Sequence, residues 1–186
     1  MSRALPLHVI LDRDGVLNEE APNGGYISTP ADWRWISGAL EGLAMLSRAG
    51  VRLSIATNQS GVGRGLMSES DLEAVHHHML REARENGADI AGVFVCPHAP
   101  TAGCDCRKPA PGLLTRAMSL AEISAEQTLM VGDDLRDLDA ASSAGVPAAL
   151  VLTGKGRGAL VKLEGRDVPV YESLRLLVAA LLAKRF

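Results

Sequence analysis

Apolar residues along this chain fall into short continuous runs separated by stretches of helical spacing. The run 7–11 is interrupted only by His8 and reads as a buried parallel strand. Similar runs at 51–56, 90–95, 127–131 and 148–152 predict four more strands, and 168–170 a short sixth. Leu40, Leu43, Ala44, Leu46 and Ala49 recur at helical spacing, closed by Gly50, and predict a helix over 38–49. Ser68 and Asp71 have capping-box spacing and begin a helix that runs to Asn86-Gly87. Further helices are expected over 111–120, 135–144 and 173–184. Strands alternating with helices predict an α/β, Rossmann-like fold in three layers, a mainly parallel sheet with right-handed crossovers. No repeat or linker divides the 186 residues, so one domain is expected.

Residues 18–36 break this alternation. They are rich in Pro, Gly and Asn and hold both tryptophans, Trp33 and Trp35. A loop with a short extended pair, lying over one end of the sheet, is the expectation. Asn23 to Tyr26 has tight-turn chemistry, and Asn23 and Tyr26 are candidate substrate contacts.

Composition narrows the function. A net charge of −3 argues against a nucleic-acid partner held by phosphate neutralisation. No apolar run is long enough to cross a bilayer, and the first residues do not read as a signal peptide. The three cysteines, Cys96, Cys104 and Cys106, cluster, which suggests a metal and a reducing cytoplasm rather than disulfides.

The chemistry gathers where apolar runs end. The first strand delivers Asp12 and Asp14, followed by Gly15, at the end where open α/β sheets bind ligands. Two like charges so close repel, and a bound cation with one acid acting as nucleophile removes the conflict. Asp12 can attack phosphorus to form an aspartyl-phosphate, while Asp14 can donate and then accept a proton. That second role calls for a raised pKa, expected from burial near other acids. The bland alternative is a strand followed by an acidic turn.

The second strand ends in Thr57, a hydroxyl donor for phosphate, followed by Asn58 and by Gln59-Ser60-Gly61, a turn suited to anions. On its own this is a loop entry. Lys108 precedes Pro109, suited to a helix's first turn, and can meet a transferring phosphoryl group as a compact charge. Arg107 beside it suits a planar, bidentate contact. Alone, the two are a solvated basic pair. The fourth strand ends in Gly132-Asp133-Asp134, with Asp137 one helical turn on. Asp12, Asp133 and the Asp14 carbonyl give the oxygen shell that Mg²⁺ prefers, with Asp137 acting through water or a hydrogen bond. Helix capping explains each of these acids singly.

Cys96, His98, Cys104 and Cys106 supply three thiolates and an imidazole, a closed tetrahedral set for structural Zn²⁺. His76, His77 and His78 are consecutive on a helix, cannot converge on one ion, and are expected to form a solvated or partly buried surface. Residues 153–158 lack P-loop spacing and are expected to be a mobile loop, with Lys155 or Arg64 available to a second phosphate.

The four segments from Asp12 to Asp137, in this order, resemble the haloacid dehalogenase (HAD) superfamily of phosphoryl-transfer enzymes. Asp-Arg-Asp-Gly-Val-Leu-Asn, Thr-Asn-Gln-Ser-Gly and Cys-Arg-Lys-Pro-Ala-Pro-Gly, with the zinc loop over 96–108, resemble the D-glycero-D-manno-heptose 1,7-bisphosphate phosphatases. The resemblance spans nearly the whole chain. It implies a Mg²⁺-dependent hydrolase, without a large cap domain, that removes the C7 phosphate on the way to nucleotide-activated heptose of lipopolysaccharide or related glycans. It also implies substrate contacts at Asn58, Gln59, Ser60 and Arg107. Family members often carry Lys where Asp134 stands, so a charge contact is expected to be missing there, and Asp134 enters the substrate set only by its place in the motif. The interval between His98 and Cys104 is shorter than in the family form. A small sugar bisphosphate is the expected partner, with no nucleic acid or membrane, and a monomer is expected. Two other readings stay open: a histidinol-phosphate phosphatase, which shares a similar zinc loop, and a zinc-stabilised binding module without activity.

Overall fold

The computed structural model describes residues 5–183. Six strands, β1 (His8–Leu11), β2 (Arg52–Asn58), β3 (Ile90–Cys96), β4 (Thr128–Gly132), β5 (Ala148–Val151) and β6 (Val170–Tyr171), form one sheet in the order β3-β2-β1-β4-β5-β6. Every ladder is parallel. The chain therefore leaves β1 toward β2 on one side and returns to β4 on the other. That reversal opens a crevice at the carboxyl ends of β1 and β4.

The helices are α1 (Ala39–Arg48), α2 (Ser60–Gly63), α3 (Glu69–Glu85), α4 (Gly112–Ala121), α5 (Leu135–Ser143), α6 (Gly156–Leu160) and α7 (Leu174–Ala183). All four residues of β1 are buried, because the strand is covered on both faces. Its side chains alternate: Val9 and Leu11 join a core with α1, α3 and α7, whereas Ile10 packs with α4 and α5. Leu43 and Leu46 of α1 are fully buried, and truncating either to Ala would cost roughly 2–5 kcal/mol. Ser68 caps α3 as expected: its side chain accepts from the Asp71 N–H at 3.0 Å, and Asp71 accepts from the Ser68 N–H.

Several expectations are corrected. The extended pair in 18–36 is a minimal one, an antiparallel bridge between Asn18 and Trp35 flanked by the Glu19 N–H donating to the Arg34 carbonyl and the Ile36 N–H to the Leu17 carbonyl, each at 2.8 Å; between its ends lie two 3-10 turns, Pro22–Gly24 and Pro30–Asp32. The Asn23 side chain and Lys184 lie outside the described residues. The sixth strand begins at Val170 and takes in Tyr171 rather than 168–169. Helix α4 starts at Gly112, with Pro111 as its N-cap, so Pro109 lies in the preceding loop and not in the helix's first turn. Residues 153–158, expected to be a mobile loop, lead into α6 and are bonded to the segments that follow β1 and β4. The Thr153 hydroxyl donates to the Gly15 carbonyl at 2.6 Å, and the Lys155 N–H donates to Asp133 Oδ2 at 2.7 Å. Among the described residues, no helix is long and apolar enough to cross a membrane.

Candidate active site

The carboxyl ends of β1, β2 and β4 surround a cleft of about 280 Å³ whose lining includes Asp12, Thr57, Lys108 and Asp133. The ladders set this convergence. In the ladders Leu11 of β1 lies level with Ile55 of β2 and Val131 of β4, so Asp12, Thr57 and Asp133 all fall within two residues of that level.

Asp12 is held at the end of β1, its N–H donating to the Val131 carbonyl at 2.9 Å. Its Oδ1 accepts from the Arg13 N–H at 2.7 Å and lies 2.9 Å from Lys108 Nζ. Lys108 is the pivot of the floor. Its ammonium donates to the Ala56 carbonyl at 2.7 Å and forms ion pairs with Asp137 Oδ1 at 2.7 Å and Asp12 Oδ1 at 2.9 Å. Burial opposes the charge, but Asp12 and Asp137 outweigh it and raise the Lys108 pKa.

The other Asp137 oxygen accepts from the N–H groups of Asp133 and Asp134, at 3.2 and 3.1 Å. With both oxygens engaged, Asp137 fixes the β4–α5 turn. Burial first, then its neighbours Asp137 and Asp14, push Asp12 up to about 7 against the pull of Lys108. Burial and Asp12 push Asp133 up to about 8. One oxygen each from Asp12, Asp133 and Asp137 lie within 4.8 Å of one another. Acids crowded and destabilised as anions in this way form a donor set that a hard divalent cation fits.

Two glycines permit the crowding. Gly15 has φ +85°, and a Cβ there would lie 2.0 Å from Asp133 Oδ2. Gly154 has φ +52° and would place a Cβ 2.1 Å from the same oxygen. No L side chain fits either position.

Asp14 departs from expectation. Burial acts to raise its pKa. Arg13 at short range, with hydrogen bonds from Asn18, Arg13 and Gln59, outweighs burial and holds the carboxyl below its usual value. The raised values sit on Asp12 and Asp133 instead, since neither has an arginine fork.

The family-derived substrate contacts divide. Asn58 does not offer its amide to the cleft: it donates to the Lys108 carbonyl at 3.0 Å and accepts from the Lys108 N–H at 3.1 Å. Gln59 is buried and donates to Asp14 Oδ2 at 2.7 Å and Thr57 Oγ1 at 2.9 Å. Thr57 thus accepts from Gln59 and keeps its own proton to donate. Asp134 is the N-cap of α5 and is gripped by Arg136 at 3.1 and 2.7 Å, so it is drawn away from a substrate role. Ser60 lies 3.1 Å from the Tyr26 hydroxyl, which also accepts from Arg64. Arg64 does not line the cleft; Arg107, Arg136 and Lys155 do. Spacing alone missed Arg13, His76 and Arg136. His76 is buried, correcting its expected surface role, and lies 3.0 Å from Arg13 Nη1.

The second cluster is a complete ligand set. Cys96 Sγ lies 3.5 Å from His98 Nδ1 and 3.7 Å from Cys104 Sγ, and His98 Nδ1 lies 3.2 Å from Cys106 Sγ. Thiolates 2.3 Å from a tetrahedral ion stand about 3.7 Å apart, so these residues fit Zn²⁺. The loop reaches the cleft through Arg107, whose Nη1 lies 3.5 Å from the His98 carbonyl.

Comparison with known proteins gives the same picture. The HAD-hydrolase-like family model matches residues 105–177. The D-glycero-β-D-manno-heptose-1,7-bisphosphate 7-phosphatase of Pseudomonas aeruginosa is 38% identical over 98% of this chain and 99% of its own. That of Neisseria meningitidis is 38% identical over 87% of this chain and 84% of its own. A crystal structure of the D,D-heptose 1,7-bisphosphate phosphatase of Bordetella bronchiseptica, complexed with magnesium and phosphate, superposes with a TM-score of 0.90. It is 37% identical and covers 95% of this chain and 98% of its own. The chain belongs to the D-glycero-D-manno-heptose 1,7-bisphosphate phosphatase family of HAD-like hydrolases.

Proposed function

We propose that this protein is a Mg²⁺-dependent phosphatase that removes the C7 phosphate of D-glycero-β-D-manno-heptose 1,7-bisphosphate. It works through an aspartyl-phosphate on Asp12, as one monomeric domain in the cytoplasm, supplying precursors of nucleotide-activated heptose. The observation that carries this reading is the meeting of Asp12, Thr57, Lys108 and Asp133 in one cleft at three strand ends.

Lys108 and the Arg13 N–H both contact Asp12 Oδ1, which leaves Oδ2 to attack phosphorus in line. The ammonium neutralises charge shared between Asp12 and the incoming phosphate, and the Thr57 proton steadies a phosphoryl oxygen. Asp12, Asp133 and the Asp14 carbonyl would hold Mg²⁺, which when bound neutralises the transferring group. Arrival of the phosphate dianion adds a like charge beside Asp14 and opposes the arginine's effect on it. Asp14 takes up a proton from solvent as the substrate binds, and gives it to the sugar oxygen as the Asp12 oxygen bonds to phosphorus and the ester P–O bond breaks. In the second half it takes a proton from water that attacks the aspartyl-phosphate, and inorganic phosphate leaves.

Arg107, Arg136 and Lys155 give the rim a positive character suited to the second phosphate, with Tyr26 and Ser60 toward the sugar. Zn²⁺ on Cys96, His98, Cys104 and Cys106 would fix the segment that carries Arg107 and Lys108.

The test is steady-state turnover of both anomers of the heptose bisphosphate beside histidinol phosphate, with the Asp12→Asn variant as control. The β anomer is expected to give the highest kcat/KM, and Asp12→Asn to lose phosphate release while keeping its fold and bound zinc. Faster turnover of histidinol phosphate would overturn the substrate, and an active Asp12→Asn variant the nucleophile.

A further inference from the structure

Arg13 lies between the two reacting acids, yet its side chain is completely buried and its guanidinium is taken up by Asp14. Its Nη2 donates to Asp14 Oδ1 at 3.0 Å and Oδ2 at 3.1 Å, and Nε donates to Oδ1 at 3.3 Å. The planar fork therefore fixes both the place and the tilt of the carboxylate. Asn18 Nδ2 at 2.8 Å and Gln59 Nε2 at 2.7 Å close on the same group from other sides. A carboxylate held this way has one orientation in which to meet a leaving oxygen.

The fork is itself held. The guanidinium lies over the Trp33 ring, 5.9 Å from its centroid, and Nη1 lies 3.0 Å from His76 Nε2. An arginine nitrogen has only protons to offer. His76 Nε2 must accept, so the imidazole is neutral and carries its proton on Nδ1. The site is thereby tied to α3, well outside the four phosphoryl-transfer segments. The same helix holds the tryptophan pair: Glu82 accepts from Trp35 Nε1 at 2.6 Å, and Trp35 meets Trp33 edge-on at 5.0 Å.

We infer that His76 is a positioning residue: by accepting from Arg13 it sets the arginine fork, and through it the orientation of Asp14 as proton donor to the leaving group. His76 does not line the cleft, and the Arg13 guanidinium is engaged by Asp14, so both act through that carboxylate. The inference rests on the assignment of Asp14 as the acid, and leaving-group chemistry tests it. A sugar or glycerol alkoxide is a poor leaving group and requires a well-aimed proton; p-nitrophenolate leaves without one. The ratio of kcat/KM for glycerol phosphate to that for p-nitrophenyl phosphate isolates the acid, because hydrolysis of the aspartyl-phosphate is common to both substrates. A purely structural loss lowers both values together.

Four variants are compared with the wild type: Asp14→Asn, His76→Gln, His76→Asn and Arg13→Lys. Gln can place an oxygen near the Nε2 position, whereas Asn is too short to reach Arg13. The ratio is expected to fall on the order of a hundredfold in Asp14→Asn, the usual scale of a lost acid. It is expected to fall roughly tenfold in His76→Asn, a misaimed acid retaining part of that effect, and to recover in His76→Gln. An unchanged ratio in His76→Asn, with both rates lowered equally, overturns the positioning role. The role is also overturned if Gln and Asn lower the ratio alike. An unchanged ratio in Asp14→Asn removes the acid assignment itself and the inference with it. Arg13→Lys, which keeps the charge but loses the fork, should lower the ratio as His76→Asn does; a wild-type ratio there contradicts the chain of contacts.

Discussion

Lys108 and Asp137 form an ion pair of 2.7 Å under the cleft, the two side chains only 2% and 1% exposed. Such a pair is a weak source of net stability, because both ions have left water. Its value is geometric: Asp137 places the ammonium against Asp12 and at the same time ties down the β4–α5 turn that carries Asp133.

Asp137→Ala would leave the Lys108 charge with Asp12 alone and free two buried N–H groups. Breaking a buried pair from one side typically costs about 3–5 kcal/mol. Urea unfolding should show a loss of this size, and kcat/KM should fall as Lys108 and Asp133 lose their common anchor. Asp137→Asn keeps the shape and one acceptor for the turn, so its stability loss should be smaller.

Removal of zinc should act on the same floor from another direction. The cysteine loop leads from β3 to Arg107 and Lys108, and Arg107 touches the His98 carbonyl. Elemental analysis should find one zinc per chain in the wild type and little in Cys106→Ser. That variant should lose activity together with thermal stability, and added Mg²⁺ should not restore either. Full activity and stability without the metal would separate the loop from the site.

Much of this arrangement was legible because apolar runs ending in polar residues reveal strand ends. Asp12, Thr57 and Asp133 each follow such a run, and the sheet order brings the three ends together. What escaped depends on side-chain direction and long-range contact. The pKa of Asp14 was misjudged because spacing does not reveal that Arg13 folds back onto its neighbour. His76 meets Arg13 across 63 positions of sequence, and a triple histidine offers no cue as to which ring turns inward. Residues 153–158 read as a mobile loop because they lack P-loop spacing. Here Gly154 and Gly156 serve close approach, and a Cβ on Gly156 would lie within 1.8 Å of the Val151 carbonyl oxygen. Asn58 and Gln59 line the cleft, but their amides face Lys108, Asp14 and Thr57.

Two buried histidines give stability a defined pH dependence. Burial, aided by Arg13 and adjacent His77 and opposed by Asp14, lowers His76 to about 3. Burial and Arg52 lower His8, which contacts Ser54 at 2.9 Å, to about 4. Unfolded histidine titrates near 6.5. Between these values the unfolded chain binds protons that the folded chain refuses, so stability falls as pH drops from about 6.5 toward 4 and is indifferent to these groups above that range. Each histidine contributes a slope of up to about 1.4 kcal/mol per pH unit. The difference in unfolding free energy between His76→Gln and wild type should therefore narrow steadily across this window as pH is lowered. A difference constant with pH would mean that His76 protonates alike in both states.

Arg136 offers the clearest separation of binding from chemistry. Asp134 engages its Nε and Nη2, which holds the guanidinium at the cleft rim and leaves Nη1 without a partner in that pair. A planar cation fixed at a rim suits the second phosphate of a bisphosphate, and a monophosphate lacks the group it would meet. Arg136→Ala should raise KM for the heptose bisphosphate by roughly tenfold or more, the loss of one charge-assisted contact of about 1.5–3 kcal/mol. Turnover of p-nitrophenyl phosphate should change little, since Arg136 contacts neither Asp12 nor Lys108. Arg136→Lys should recover part of the loss, because it restores charge but not the fork. Asp134→Ala should give a smaller rise in KM, as the arginine keeps its charge but loses its brace. Equal losses on both substrates in Arg136→Ala would instead place the residue in support of the α5 turn, with recognition of the second phosphate left to Arg107 and Lys155.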